Sequence, residues 1–157
     1  MWKKLKPYII SVAVALAVGG LSALLTKDNM NFIETINQPP LSPPSFIFPI
    51  VWTILFVLMG ISSAYVYVHK GKNPDAASTG LTVYAFSLAV NFLWSIIFFN
   101  LRAFMFSFIW LVLLWVLIII TIREYAKVSR TPAYLQLPYL LWVTFAGYLN
   151  FMIYVLN

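Results

Sequence analysis

No cysteine occurs in this chain, and it has only one histidine and four acidic residues. The first absence excludes disulfides, thiolate metal sites and cysteine nucleophiles. The lone His69 precedes Lys70 at the edge of an apolar run, a solvated position. One histidine by itself cannot build a zinc site. Charge of either sign is scarce. Asp, Glu, Lys and Arg make up 9% of the residues, where a soluble domain carries about 25%. Apolar residues fill the space, at 62%. These proportions indicate an all-α integral membrane protein. The strands of a membrane barrel would alternate in segments about 10 residues long, and no such pattern is present.

The few charges are segregated. They fall at 3–6, 27–34, 70–75, Arg102 and 123–130, leaving uncharged runs at 7–26, 35–69, 76–101, 103–122 and 131–157. About 20 residues at 1.5 Å per residue cross a roughly 30 Å hydrocarbon core. Five runs therefore predict one domain, a bundle of five transmembrane helices near 7–26, 43–68, 78–100, 103–122 and 131–156. An odd number of spans puts the termini on opposite sides. The amino tail and the loops at 69–78 and 123–130 hold eight of the ten Lys and Arg residues; Lys27 and Arg102 lie on the other side. The positive-inside rule then places the amino terminus in the cytoplasm and the carboxyl terminus outside, in the cell (inner) membrane. Topology accounts for the net charge of +6, with no nucleic acid as partner. No helix interior carries an ionisable side chain, which argues against a proton- or ion-coupled pump. No Ser/His/Asp set or metal cluster can be assembled within the bilayer.

Along the chain, Ser11, Ala15, Gly19 and Ala23 recur every four residues, a stripe that admits a second helix at close range. Internal packing is its expected use and dimerisation the alternative; Ala85 and Ala89 form a second small pair. Leu21 interrupts the one small-x-small site, ending at Ala23, so the first helix is expected to be retained rather than cleaved. The longest loop, KDNMNFIETINQPPLSPP at 27–44, contains a short amphipathic stretch and four prolines, and is expected to act as a lid on the outer side. Ser42 is the expected cap of helix two, with Pro43 in its first turn. Thr131 and Pro132 have the same roles in helix five. Pro49 and Pro138 are expected to kink these helices. Helix four is uniformly apolar and is expected to face lipid, with Trp110 and Trp115 as packing and interface anchors.

Trp52 follows Pro49 by three positions and Trp142 follows Pro138 by four. Each lies about one turn past a proline, on nearly its face. A bend beside a large flat side chain opens a cleft, or is filled by that side chain; spacing leaves both open. Aromatics make up 18% of the chain, and Asn91, Ser95, Thr144 and Asn150 are the notable polar residues within helices. Aromatic walls with a few polar groups suit a planar apolar ligand.

Three stretches carry a family resemblance: PPSFIFPIVWTILFVLMGIS at 43–62, NFLWSIIFF at 91–99 and PYLLWVTFAGYLNFMIYVLN at 138–157. They resemble the tryptophan-rich sensory protein family, TspO/MBR, also called the translocator protein or peripheral benzodiazepine receptor family. The resemblance implies a five-helix bundle, commonly a homodimer in the bilayer, that binds porphyrins such as protoporphyrin IX. No cofactor is required; the porphyrin is the ligand. It implies a pocket lined by Trp52, Asn91, Trp94, Ser95, Trp142, Phe145, Ala146 and Leu149, closed by the first loop, and Leu149 with Asn150 matches the family's LN pair. Light- and oxygen-dependent porphyrin degradation, with Trp52 and Trp142 as catalytic residues, and facilitated transport of tetrapyrroles or other hydrophobes are the alternatives. The chain departs from the family pattern in having Leu41 and Phe46 where many members carry tryptophan. Phe151 and Val155 break the mitochondrial cholesterol motif.

Overall fold

The structure, a computed structural model describing residues 1–157, forms the five apolar runs into five helices long and apolar enough to cross a membrane. They are α1 (Trp2–Thr26), α2 (Ile47–Val68), α3 (Pro74–Ser95), α4 (Phe104–Val128) and α5 (Arg130–Leu156). No strand is present. In lipid every backbone polar group needs an internal partner, and a helix supplies it from its own segment. The helices pack in the ring order α1, α2, α5, α4, α3, with α3 returning to α1.

Helix ends differ from the sequence expectation because charged and capping residues extend helices beyond the hydrocarbon. α3 starts at Pro74, not 78, with Asn73 Oδ1 accepting from the Ala76 N–H at 3.2 Å. α4 continues past Arg123 to Val128. Ser129, with extended backbone at φ −165°, separates α4 from α5 alone. It occupies the position expected for Thr131, which instead lies within the first turn of α5.

α2 starts at Ile47, four residues later than expected. Ser42 does not cap it; its Oγ donates to the Pro39 carbonyl at 2.8 Å. Pro43 and Pro44 lie in the irregular segment between the turns at 40–41 and 45–46. Pro49 then falls in the first turn, where a helix has no use for the missing N–H. It starts α2 and does not interrupt it, which corrects the expected kink. Pro138 does lie inside α5. α4 is also not a purely lipid-facing helix. Leu111, Leu114, Ile118 and Tyr125 on it are almost fully buried between α3 and α5.

The small stripe of α1 is used internally at Ala15 and Gly19, while Ala23 is exposed and Ser22 is the buried residue of that turn. Ala15 is fully buried and Gly19 faces the Phe56 ring. On the opposing helix a Cβ at Gly60 would lie 2.5 Å from Val12 Cα and 2.8 Å from Val12 N. Backbone cannot yield as a flexible side chain can, so Gly60→Ala must push α1 off α2. A loss of about 2 kcal/mol is expected, read as a lower unfolding temperature in detergent. Gly20→Ala, where nothing lies within 4 Å, is the control and should not lower it. Equal stability of the two variants would mean the α1–α2 contact is looser than described.

Candidate functional site

Two aromatic clusters occupy the bundle at the end where α2 and α4 begin. The first lies between α2 and α5. Trp52 meets Tyr139 edge-on at 6.3 Å between centroids and Phe56 at 5.7 Å. Phe48 meets Trp142 at 5.8 Å, and Trp142 meets Phe145 at 5.6 Å. Both tryptophans are partly buried. Asn91 of α3 joins this cluster, its Nδ2 donating to Tyr139 Oη at 2.7 Å. Helical spacing explains the assembly: Phe48 and Trp52 are four apart on α2, and Tyr139 and Trp142 three apart on α5.

The second cluster lies between α3 and α4. Trp94 stacks on Phe98 at 5.3 Å, and Phe98 contacts Phe104 at 5.2 Å. Trp94 is buried, and its Nε1 donates to Asn150 Oδ1 at 3.1 Å. The same oxygen accepts from Ser107 Oγ at 3.0 Å, while Asn150 Nδ2 donates to the Phe104 carbonyl at 2.8 Å. One amide thus ties α3, α4 and α5 together. Ala146 and Leu149 are buried within the bundle, and Ser95 is half-buried at the last position of α3.

The tryptophans differ most in their indole N–H groups. Trp94 donates to Asn150, Trp110 to the Val90 carbonyl at 2.8 Å and Trp115 to Thr144 Oγ1 at 2.9 Å. Trp142 Nε1 is buried and has no partner. Trp52 makes no side-chain hydrogen bond, and Trp2 is exposed near the amino terminus. A buried donor without an acceptor costs about 1–3 kcal/mol, and such a group in a folded chain calls for an explanation.

The first loop runs over this end of the bundle. It begins with a 3₁₀ segment, Lys27–Thr35, that buries Phe32 against Phe98 and Phe104. The Arg102 guanidinium lies over that ring, 4.4 Å from its centroid. Asn29 Nδ2 donates to Asn100 Oδ1 at 2.8 Å, and Asn100 Nδ2 to the Leu25 carbonyl at 3.1 Å. Further on, Asn37 and Asn157 bond reciprocally at 3.1 Å, and Tyr148 Oη donates to the Pro40 carbonyl at 2.8 Å. The loop is thereby fastened at both ends of its length. Just past the last fastening Leu41 holds φ at 71°, a left-handed conformation costing roughly 1 kcal/mol for a residue with a Cβ.

Of the residues expected to share one pocket, the structure brings Trp52, Asn91, Trp142 and Phe145 into the first cluster. It puts Trp94 in the second, satisfied and enclosed. Two grooves run along α4 and α5, and neither is lined by Trp52 or Trp142. Tyr139, the residue joining Trp52 to Asn91, was not singled out from the sequence. Its position three before Trp142 was the available signal. Phe32 and Phe48 were missed likewise.

A five-helix bundle of membrane-length helices agrees with the similarity to known proteins. The TspO/MBR family profile matches residues 11–156. The chain belongs to the TspO/MBR family. It is 36% identical to the tryptophan-rich protein TspO of Chlorobaculum tepidum, over 100% of this chain and 99% of that protein. It is 35% identical to protein CrtK of Rhodobacter capsulatus, covering 92% and 89%. With the translocator protein of Bos taurus it shares 31% identity over 92% and 88%. TspO/MBR membership and five membrane-length helices make it an integral membrane protein, of a family with members named as sensory and translocator proteins.

Proposed function

We propose that this TspO/MBR chain binds a porphyrin, such as protoporphyrin IX, among the rings of the α2–α5 cluster. The observation that carries the reading is the unpartnered Trp142 N–H, buried beside Phe48 and Phe145. A flat π-system offers these rings a stacking partner, and a propionate oxygen offers the indole an acceptor. Trp52 supplies the facing aromatic surface, and Asn91, held by Tyr139, supplies a polar contact. The rings now contact one another, so the ligand enters by parting them, with the first loop as the lid. Two copies would meet on outward faces such as that of Ala85 and Ala89, both exposed on α3.

The test is a titration of the purified protein with protoporphyrin IX in the dark, following tryptophan quenching. Saturable quenching, lost in Trp52→Phe and Trp142→Phe, supports the reading. Non-saturable quenching, equal in all three proteins, would reduce it to partition into detergent. The same free indoles favour a second reading, porphyrin degradation under light and oxygen. An absorbing product that forms only when both tryptophans are intact would support it.

We also infer an inner-membrane location, from the five apolar helices, and a cytoplasmic amino terminus, from the distribution of Lys and Arg. Because the chain has no cysteine, single substitutions report topology cleanly. Asp28→Cys is expected to react with a membrane-impermeant maleimide in intact cells, and Lys72→Cys only after lysis. The reverse pattern would invert the orientation.

A further inference from the structure

We infer that the outward seam between α4 and α5 holds one anionic phospholipid, its headgroup at Arg102 and one acyl chain along the helices. Two grooves lie on this seam. The first, of about 730 Å³, is lined by Arg102, Phe104, Phe106 and Tyr154 among others. The second, of about 310 Å³, is lined by Phe108, Val112, Trp115, Gly147 and Phe151 among others. The linings continue one another at helical spacing: 104, 108, 111 and 115 on α4, and 147, 151 and 154 on α5. The Phe108–Phe151 pair, at 5.2 Å, spans the seam in the second groove, one helical turn from Phe104 and Tyr154 of the first.

Three features commit this trough to a lipid. The first is length. From Phe104 to Trp115 a helix rises roughly 16 Å, close to one leaflet of hydrocarbon, about 15 Å. The second is charge. Arg102 stands at the mouth with its guanidinium against the Phe32 ring and with no ion pair, since the single ion pair of the molecule is Lys127–Glu124. Asp28 and Glu34, the acidic side chains of this end, lie on the first loop and do not pair with it. Arg102 also holds φ at 51°, a strained turn that sets its side chain between the loop and the α4 start. The third is the gap at Gly147. A Cβ there would meet only Leu111 Cδ2 at 3.9 Å and Phe108 Cε2 at 4.0 Å, leaving a channel in otherwise bulky surroundings. A headgroup phosphate at the guanidinium and a chain in the channel satisfy all three.

The experiment uses delipidated full-length protein in mild detergent, titrated with palmitoyl-oleoyl phosphatidylglycerol or phosphatidylcholine, with adducts resolved by native mass spectrometry. The wild type is expected to retain one phosphatidylglycerol per chain, favoured over phosphatidylcholine by about fivefold, as one interfacial cation provides. Arg102→Gln, outside every helix, should abolish the preference while a lipid is still retained. Gly147→Leu should weaken both lipids severalfold by filling the channel. Gly147→Ala, which has room, is the variant to use if the larger residue disturbs folding, and should weaken them less. Lys27→Gln, at the same end but off the seam, should leave the preference intact. A wild type without headgroup preference, or a preference surviving Arg102→Gln, would overturn the assignment. So would lipid retention untouched by the Gly147 variants. A change of oligomeric state in Gly147→Leu with no change in lipid would overturn it as well, and give the trough to a second copy of the chain.

Discussion

Trp142→Phe is expected to weaken protoporphyrin IX binding about fivefold to tenfold without destabilising the fold to match. The substitution removes an indole N–H and part of a ring while keeping an aromatic surface beside Phe48 and Phe145. A hydrogen bond to a charged acceptor contributes about 1.5–3 kcal/mol, and about 1.4 kcal/mol is tenfold in affinity. The stability arm follows from the absence of a partner for Trp142 Nε1. Deleting that donor relieves a desolvation cost of about 1–3 kcal/mol, which offsets much of the packing lost with the smaller ring. Loss of binding together with near-constant stability is the signature of a group kept for a ligand. Trp115→Phe is the control. Its N–H is bonded to Thr144, and its replacement should leave porphyrin affinity unchanged. If Trp142→Phe bound as tightly as wild type, the α2–α5 cluster would not be the pocket. If it bound normally and unfolded early, Trp142 would be a packing residue.

The second large effect belongs to Asn150. Asn150→Ala removes the acceptor of Trp94 Nε1 and Ser107 Oγ and the donor to the Phe104 carbonyl. Interhelical hydrogen bonds in membranes average about 0.6 kcal/mol each by double-mutant cycles, but this change also orphans buried groups on α3 and α4. A total loss of about 3 kcal/mol is expected, seen as a large drop in the unfolding temperature in detergent. The Trp94→Phe and Asn150→Ala pair should be less costly than the sum of the two single changes, because they share a bond. Strict additivity would show that the bond contributes little. This effect is structural, so porphyrin affinity measured below the unfolding temperature should change far less than in Trp142→Phe.

Much of this was legible in the sequence. A hydrocarbon core tolerates few charges, so charge-free runs near 20 residues record the number of spans directly, and five runs became five helices. The resemblance in the Trp52, Asn91 and Trp142 stretches led to the family that the relatives establish. Helix ends were read less well, because charge was used as the boundary. Helices persist into the headgroup region, where Asp75, Arg123 and Lys127 are solvated. Proline spacing misled for Pro49, whose effect depends on whether a helix has already begun, and α2 begins two residues earlier.

What only the tertiary structure decided is which tryptophans are free. Six indoles are equivalent on paper. Trp110 is satisfied by a carbonyl twenty residues away and Trp94 by an amide fifty-six away, and such pairings exist only once α3, α4 and α5 are side by side. The ring order of the helices was hidden for a related reason. In a soluble helix the apolar face marks the inside. In a bilayer the outside is apolar too, so hydropathy counts the helices of this protein and is silent on which way each one faces.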